Sequence, residues 1–170
     1  AVGSGGDIFV LDASDHLREF TPEGIFVRDL VDPGPNRPPD CIAAGDAGRL
    51  LTLRGRTLTV FSPGGIIERT ERLPGPDSGF RPQDMALDRG GFLYVFEVIF
   101  VPLESEFGIA GRISRFTPSG TLDHSWTFGS HTLNGRSGHG ATIVVDIRGH
   151  VWACHPALGV YEFTADGSTI

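Results

Sequence analysis

Three kinds of side chain in this sequence have the type and placement for chemistry, and they gather between apolar runs. His131 and His139, with Asp84, form the one set suited to zinc binding or acid–base work, imidazole being the usual proton carrier near neutral pH. The two histidines are eight residues apart in a Gly-rich stretch, a spacing that matches no local zinc motif. Asp40 and Asp84 offer the hard oxygens that suit Ca²⁺, and equally the short carboxylates that cap turns. Arg37, Arg81 and Arg136, one in each long link, match the fork of a carboxylate or phosphate ligand; pairing with neighbouring Asp and Glu is the structural alternative. Calcium or zinc is thus the candidate cofactor, with His139 and His131 as metal residues, and no catalytic residue is assigned.

Several chemistries are excluded. All fourteen basic residues are Arg, so there is no lysine for a Schiff base. The stretch Ser137-Gly138-His139-Gly140 lacks the strand-to-helix setting of a nucleophile elbow. A net charge of -7 argues against binding nucleic acid. The longest apolar stretches fall far short of the roughly 20 residues of a membrane helix. Cys41 and Cys154 are too few for a disulfide framework and are expected as free thiols.

The elements that hold these residues are set by a repeat. Phe20-Thr21-Pro22-Glu23-Gly24 returns as Phe61-Ser62-Pro63-Gly64-Gly65, Phe116-Thr117-Pro118-Ser119-Gly120 and Phe163-Thr164-Ala165-Asp166-Gly167. Pro at the second position of a turn and Gly two residues on are hairpin chemistry. The Phe residues are 41, 55 and 47 positions apart (61−20, 116−61, 163−116), a period that marks propeller blades. A second Gly turn precedes each, and aligning Gly6, Gly48, Gly91 and Gly149 brings the following strands into register without a gap.

The fold class expected is all-β: blades of four antiparallel strands, at roughly 1–30, 41–73, 83–128 and 141–170, with three, four, four and three strands. Propellers usually close with four to eight blades. The expectation is therefore one propeller segment, an incomplete ring finished by another protein chain or by the remainder of a longer propeller. The links between blades and an insertion at residues 97–111 should emerge on one face, where binding usually resides. That insertion carries Val98, Ile99, Phe100, Val101 and Leu103, which either fold back on their own blade or form an apolar patch for a partner.

Residues 81–95, Arg81-Pro82-Gln83-Asp84-Met85-Ala86-Leu87-Asp88-Arg89-Gly90-Gly91-Phe92-Leu93-Tyr94-Val95, resemble an NHL-type repeat. The resemblance implies a β-propeller of the wider six-bladed group, which includes lactonase-like metalloenzymes, lyases and interaction modules. Lactonase-like members carry a metal-binding Asn before the inner strand, whereas this chain reads Gln83-Asp84, Asp40-Cys41 and Ala141-Thr142. Lyase members place several His around the channel mouth, and here His139 alone falls near such a position. The function expected is therefore a non-catalytic module for protein–protein interaction or structural assembly, binding through its loop-bearing face and open blade edges. The alternative is a metal-dependent propeller lyase or hydrolase. A start at Ala1 rather than Met suits a processed or partial chain, and an extracellular or periplasmic location is expected.

Overall fold

A computed structural model describes residues 1–12, 16–30, 39–45, 48–75, 80–102, 107–132 and 140–170. Among them are fourteen strands in four antiparallel sheets, and no α-helix. The first sheet is β1 (Ile8–Leu11), β2 (Leu17–Phe20) and β3 (Phe26–Leu30); the second is β4 (Cys41–Ala44), β5 (Leu50–Arg54), β6 (Thr57–Phe61) and β7 (Ile67–Arg72). The third is β8 (Phe80–Leu87), β9 (Leu93–Pro102), β10 (Phe107–Phe116) and β11 (Leu122–Thr132); the fourth is β12 (Thr142–Val145), β13 (Val151–His155) and β14 (Gly159–Phe163). Each sheet is a plain meander, so the all-β, blade-like expectation holds, including the strand numbers. The chain divides into two compact units, residues 1–73 and 74–170, with two sheets in each.

The Phe-Thr-Pro-x-Gly stretches are one turn built four times. The amides of Gly24, Gly65, Gly120 and Gly167 donate to the carbonyls of Thr21, Ser62, Thr117 and Thr164 at 2.8–2.9 Å. The hydroxyls of those same Thr and Ser residues accept from the amides of Ile25, Ile66, Thr121 and Ser168 at 3.1–3.3 Å. A hydroxyl that bonds the backbone ahead of it holds the chain in the turn. The bend brings Pro22, Pro63 and Pro118 against Gly6, Gly48 and Gly91, which is why both landmarks recur together. Just before the anchor, the pairings β2–β3, β6–β7 and β10–β11 each slip by one residue.

Within each unit the second sheet covers the first with its Phe anchor. In residues 1–73, Phe61 and Leu50 pack on Phe9, Leu17 and Leu30. In residues 74–170, Phe163, Ile143, Val151 and Ala153 pack on Tyr94, Phe96, Ile113 and Phe128. Arg28 ties the first pair together: its Nε donates to Glu19 at 2.6 Å, and its terminal nitrogens donate to the Pro63 and Gly64 carbonyls of the neighbouring turn. Phe116 is buried on the face of the third sheet that Leu93 shares, whereas Phe20 stays half-buried against Phe26.

One expectation is corrected. Residues 97–102 and 107–111 are not inserted loop, because β9 and β10 run on through them. Their ladder continues without a shift from Phe116↔Leu93 to Phe107↔Pro102. Val98, Ile99 and Val101 are β-branched and meet Gly111, Ala110 and Gly108, a pairing that satisfies backbone groups a loop would leave to solvent.

Gly24 and Gly167 separate two costs in the same turn. Both have positive φ, +80° and +85°; a Cβ at Gly24 meets nothing within 4 Å, while one at Gly167 would lie 2.7 Å from the Trp126 ring. Gly24→Ala should lose about 1–2 kcal/mol, the left-handed penalty. Gly167→Ala should lose about 1–3 kcal/mol more from overpacking, read as the difference between the two variants' urea midpoints.

Candidate functional site

In the second unit the antiparallel order sends β8, β10, β12 and β14 out from the end at which β9, β11 and β13 finish. The turns of β8–β9, β10–β11 and β12–β13 lie at the opposite end. The short β13–β14 turn after His155 lies at the linking end, together with the finish of β11 and the start of β12.

Asp84 stands midway along β8, opposite Phe96 and beside Thr142 at the start of β12. Its Oδ2 accepts from Thr142 Oγ1 at 2.8 Å and from the Ile143 amide at 3.0 Å, and its Oδ1 accepts from the Met85 amide at 2.9 Å. It thus clamps β8 to β12. In the first unit Asp40 caps the β5–β6 hairpin, its Oδ2 accepting from the Gly55 amide at 2.5 Å. Asp40 thus caps a turn, whereas Asp84 bridges two strands, a role the sequence reading did not name.

The other candidates are dispersed. His131 is exposed on β11, opposite Ile109. Arg81 lies on β8 opposite Val98. Val98 and Ile99 are half-buried, Phe100 is 54% exposed, and Val101 pairs with Gly108. Arg37, Leu103, Arg136 and His139 lie outside the described residues. Among the described residues no three His, Cys, Asp or Glu side chains come together as a metal site. Cys41 and Cys154 are free thiols, as expected.

Two further groups stand out. The sequence places Glu97 only among the residues of the loop-bearing face, and reads His155 only as a strand-flanking histidine that satisfies a turn or backbone partner. Glu97, 3% exposed, accepts on Oε2 from Arg112 Nε at 2.9 Å and Ser114 Oγ at 3.1 Å; this cluster occupies the face of the third sheet opposite Asp84. A lone charge inside the run Tyr94-Val95-Phe96-Glu97-Val98-Ile99 was its signal. The other is His155, 2% exposed, at the end of β13. Its Nδ1 accepts from the Ala157 amide at 3.1 Å, so the neutral ring carries its proton on Nε2. Its edge meets the Phe96 ring, centroids 6.4 Å apart. His155 and Asp84 therefore flank Phe96 on facing sheets.

At the turn end the titratable groups serve the fold. Burial pushes the Tyr94 phenol up to about 12, partly countered by Arg115 and reinforced by Asp88, whose Oδ2 the hydroxyl reaches at 3.4 Å. At Asp146 partial burial acts upward, but amide hydrogen bonds from His150 and Arg148 outweigh it and hold the carboxyl low. The Thr164 hydroxyl, then the Ser168 amide, do the same for Asp166.

No family model and no curated protein matches this sequence. Solved structures similar in fold include a protein of unknown function from Bacteroides caccae, 13% identical with a TM-score of 0.61, covering 96% of this chain and 56% of that one. Another is a gluconolactonase from Xanthomonas campestris, 17% identical with a TM-score of 0.41 over 96% and 70%. A third is a calcium-binding regucalcin from Agrobacterium tumefaciens, 15% identical with a TM-score of 0.45 over 98% and 70%. The chain spans little more than half the length of the first of these. At such identities the likeness shows the fold, which is of the β-propeller type. The expectation of a non-catalytic interaction or structural module is corrected by the presence of a gluconolactonase and a regucalcin among these neighbours. The apolar stretch at 98–101 also lies in paired strand, not in a free loop.

Two measurements check the site's electrostatics and joints. Tyr94 keeps its proton in the folded chain beyond the ordinary phenol value of 10.0, so its contribution to stability is complete below pH 10 and lost as pH rises toward 12. Tyr94→Phe should flatten that alkaline limb, followed by tyrosinate absorbance and urea midpoints. Asp84→Ala strips three hydrogen bonds from the β8–β12 joint and leaves the Ile143 amide unmatched. It should lower stability by about 1–3 kcal/mol, with the fastest-exchanging new amide at Ile143.

Proposed function

We propose that this chain is an enzyme of the propeller kind, a hydrolase or lyase, acting at the linking end of the third and fourth sheets. The observation that supports this most is His155: a buried imidazole, its tautomer fixed by the Ala157 amide, at the end from which the long links leave. Hydrolysis and elimination both need a proton moved at the reacting centre, and an imidazole held in one tautomer is suited to that role. Asp84, across Phe96, sets the position of β12 and so of its partner β13, which ends on His155.

The metal-dependent form of this reading rests on His131, on β11, and His139, outside the described residues. The described residues do not supply a ligand set, and both oxygens of Asp84 are already engaged; no step is routed through a metal. The calcium-binding description of the regucalcin neighbour makes calcium the first ion to try. The assignment to NHL-type repeats, carried by residues 81–95, belongs to the same proposal.

The test is turnover of a panel of lactones and esters, and of substrates open to β-elimination, with and without chelator. His155→Gln should reduce turnover by about 10²-fold or more, measured below the variant's own unfolding transition so that lost stability is not read as lost catalysis. Full activity in that variant, or no turnover of any substrate by the wild-type chain, overturns the proposal. Loss of activity on chelation, restored by Ca²⁺ or Zn²⁺, would assign the metal-dependent form; unchanged activity would remove it.

A further inference from the structure

The repeat places Tyr161 beside His155. The residue two before the anchor Phe carries a hydroxyl in the second, third and fourth sheets, as Thr59, Ser114 and Tyr161. The sixth residue after the turn glycines Gly91 and Gly149 is Glu97 in the third sheet and His155 in the fourth. Register sets these two positions on a diagonal. Ser114 pairs with Val95 and Arg112 with Glu97, just as Tyr161 pairs with Ala153 and Gly159 with His155, and diagonal neighbours on one face are within reach of long side chains. In the third sheet the diagonal is a hydrogen bond, Ser114 Oγ donating to Glu97 at 3.1 Å. In the fourth, both residues face the third sheet: His155 sets its edge on Phe96, and Tyr161 lies on Phe128 with centroids 4.9 Å apart. Those two Phe rings touch each other, at 5.4 Å.

β11 is shaped to receive the Tyr161 hydroxyl. Gly129 and Ser130 stand opposite the single residue Ala110, a bulge, and Gly129 has a φ of +56°. A Cβ at Gly129 would lie 2.9 Å from Tyr161 Oη, 3.4 Å from its Cζ and 3.6 Å from Leu158. Leu158 belongs to the turn that His155 opens, its amide donating to the His155 carbonyl at 3.1 Å. A glycine at a bulge marks a close approach and re-aims what lies beside it, and here the neighbour is the polar end of a phenol. Tyr161 is half-buried where His155 is 2% exposed, so it is the member of the pair nearer solvent. Its ring is fixed by Phe128 and by stacking on Phe163, while among the described residues its hydroxyl has no hydrogen-bond partner. A phenol with a fixed ring and an O–H left to bond outward is suited to hold a ligand.

We propose that Tyr161 holds the substrate of this site, its O–H donating to a carbonyl oxygen beside the bond at which His155 moves the proton. Gly129 is glycine to leave that hydroxyl its place. This rests on the reading of the linking end as an active site, and it narrows the substrates to carbonyl compounds, against phosphate or sulfate esters. The two roles are separate: Tyr161 binds, and His155 carries the proton.

Steady-state kinetics of Tyr161→Phe test it, since that change deletes one oxygen and keeps the ring. The substrate is whichever carbonyl compound of the panel the wild-type chain turns over fastest, with phosphate and sulfate esters added to the panel. KM should rise about tenfold, the loss of one hydrogen bond, with kcat held within about threefold, whereas His155→Gln lowers kcat. Gly129→Ala should raise KM likewise, and the double variant should show no further rise, because both changes remove the same contact. An unchanged KM in Tyr161→Phe, while His155→Gln still lowers kcat, overturns this proposal and leaves the enzymatic reading standing. So does a preference for phosphate or sulfate esters, or a double variant whose losses multiply. A wild-type chain that turns over nothing overturns both. If Gly129→Ala does not fold, Tyr161→Phe alone decides.

Discussion

Strands that are apolar on both sides cannot be left with a bare face, and the rest of this molecule answers to that constraint. Along β9, Leu93, Tyr94, Val95 and Phe96 are all at most 3% exposed although they alternate between faces. β5 is the same: Leu50, Leu51, Thr52 and Leu53 are buried in succession. A sheet built from such strands is stable only when shielded front and back. β13 and β3 behave differently, because burial there alternates or fades along the strand. Size is not the difference, since Trp152 on β13 is larger than Phe9 at the equivalent position on β1 and yet is the more exposed.

Covering one sheet with another requires that they arrive at a fixed distance and height, and the repeated turn provides this. The Thr or Ser hydroxyl and the positive-φ Gly occur at the same spacing in all four turns. The bulge before the anchor recurs in the three sheets with a strand after it, so β2, β6, β10 and β14 end on their Phe in the same way. Where the chain also needs a lateral tie, it uses charged or aromatic groups on the neighbouring turn. Arg28 holds the carbonyls of Pro63 and Gly64 in the first unit. In the second, the Trp126 ring packs on Gly167 and Arg115 reaches the Ala165 carbonyl at 3.5 Å. The residue types differ, but the mechanical task is the same.

This explains which features were legible in the sequence. The turn is local chemistry, so four anchors, four sheets and the strand numbers could be read from spacing alone. The extended β9–β10 hairpin could not. Its pairing is nonlocal, and Pro102, Gly108 and Gly111 are residues that ordinarily signal a loop. Site chemistry was legible only as residue type. Asp84 was recognisable as a carboxylate beside an inner strand, but its partners Thr142 and Ile143 lie 58 and 59 residues away. His155 was passed over because a histidine flanking a strand usually satisfies a backbone partner. It does so here, and only the fold reveals its burial at the linking end.

Glu97 and Arg112 raise a different question, because a buried ion pair contributes little net stability once desolvation is counted. Their position suggests what they do instead. β8–β9 slips between Pro82 and Asp84, and β10–β11 slips after Ile109 and again after Arg115, yet the ten pairs of β9–β10 run without a shift. Apolar runs such as Val98–Val101 tolerate a slip of one residue, since most of their side chains are interchangeable. Glu97 and Arg112 do not: a one-residue slip carries one of them to the other face and leaves two buried charges unmatched, at a cost of several kcal/mol. Ser114 on the same face adds a third contact that only the correct register satisfies. The pair thus works against the wrong alignments more than for the right one, and it fixes the height at which β9 and β10 present the linking end.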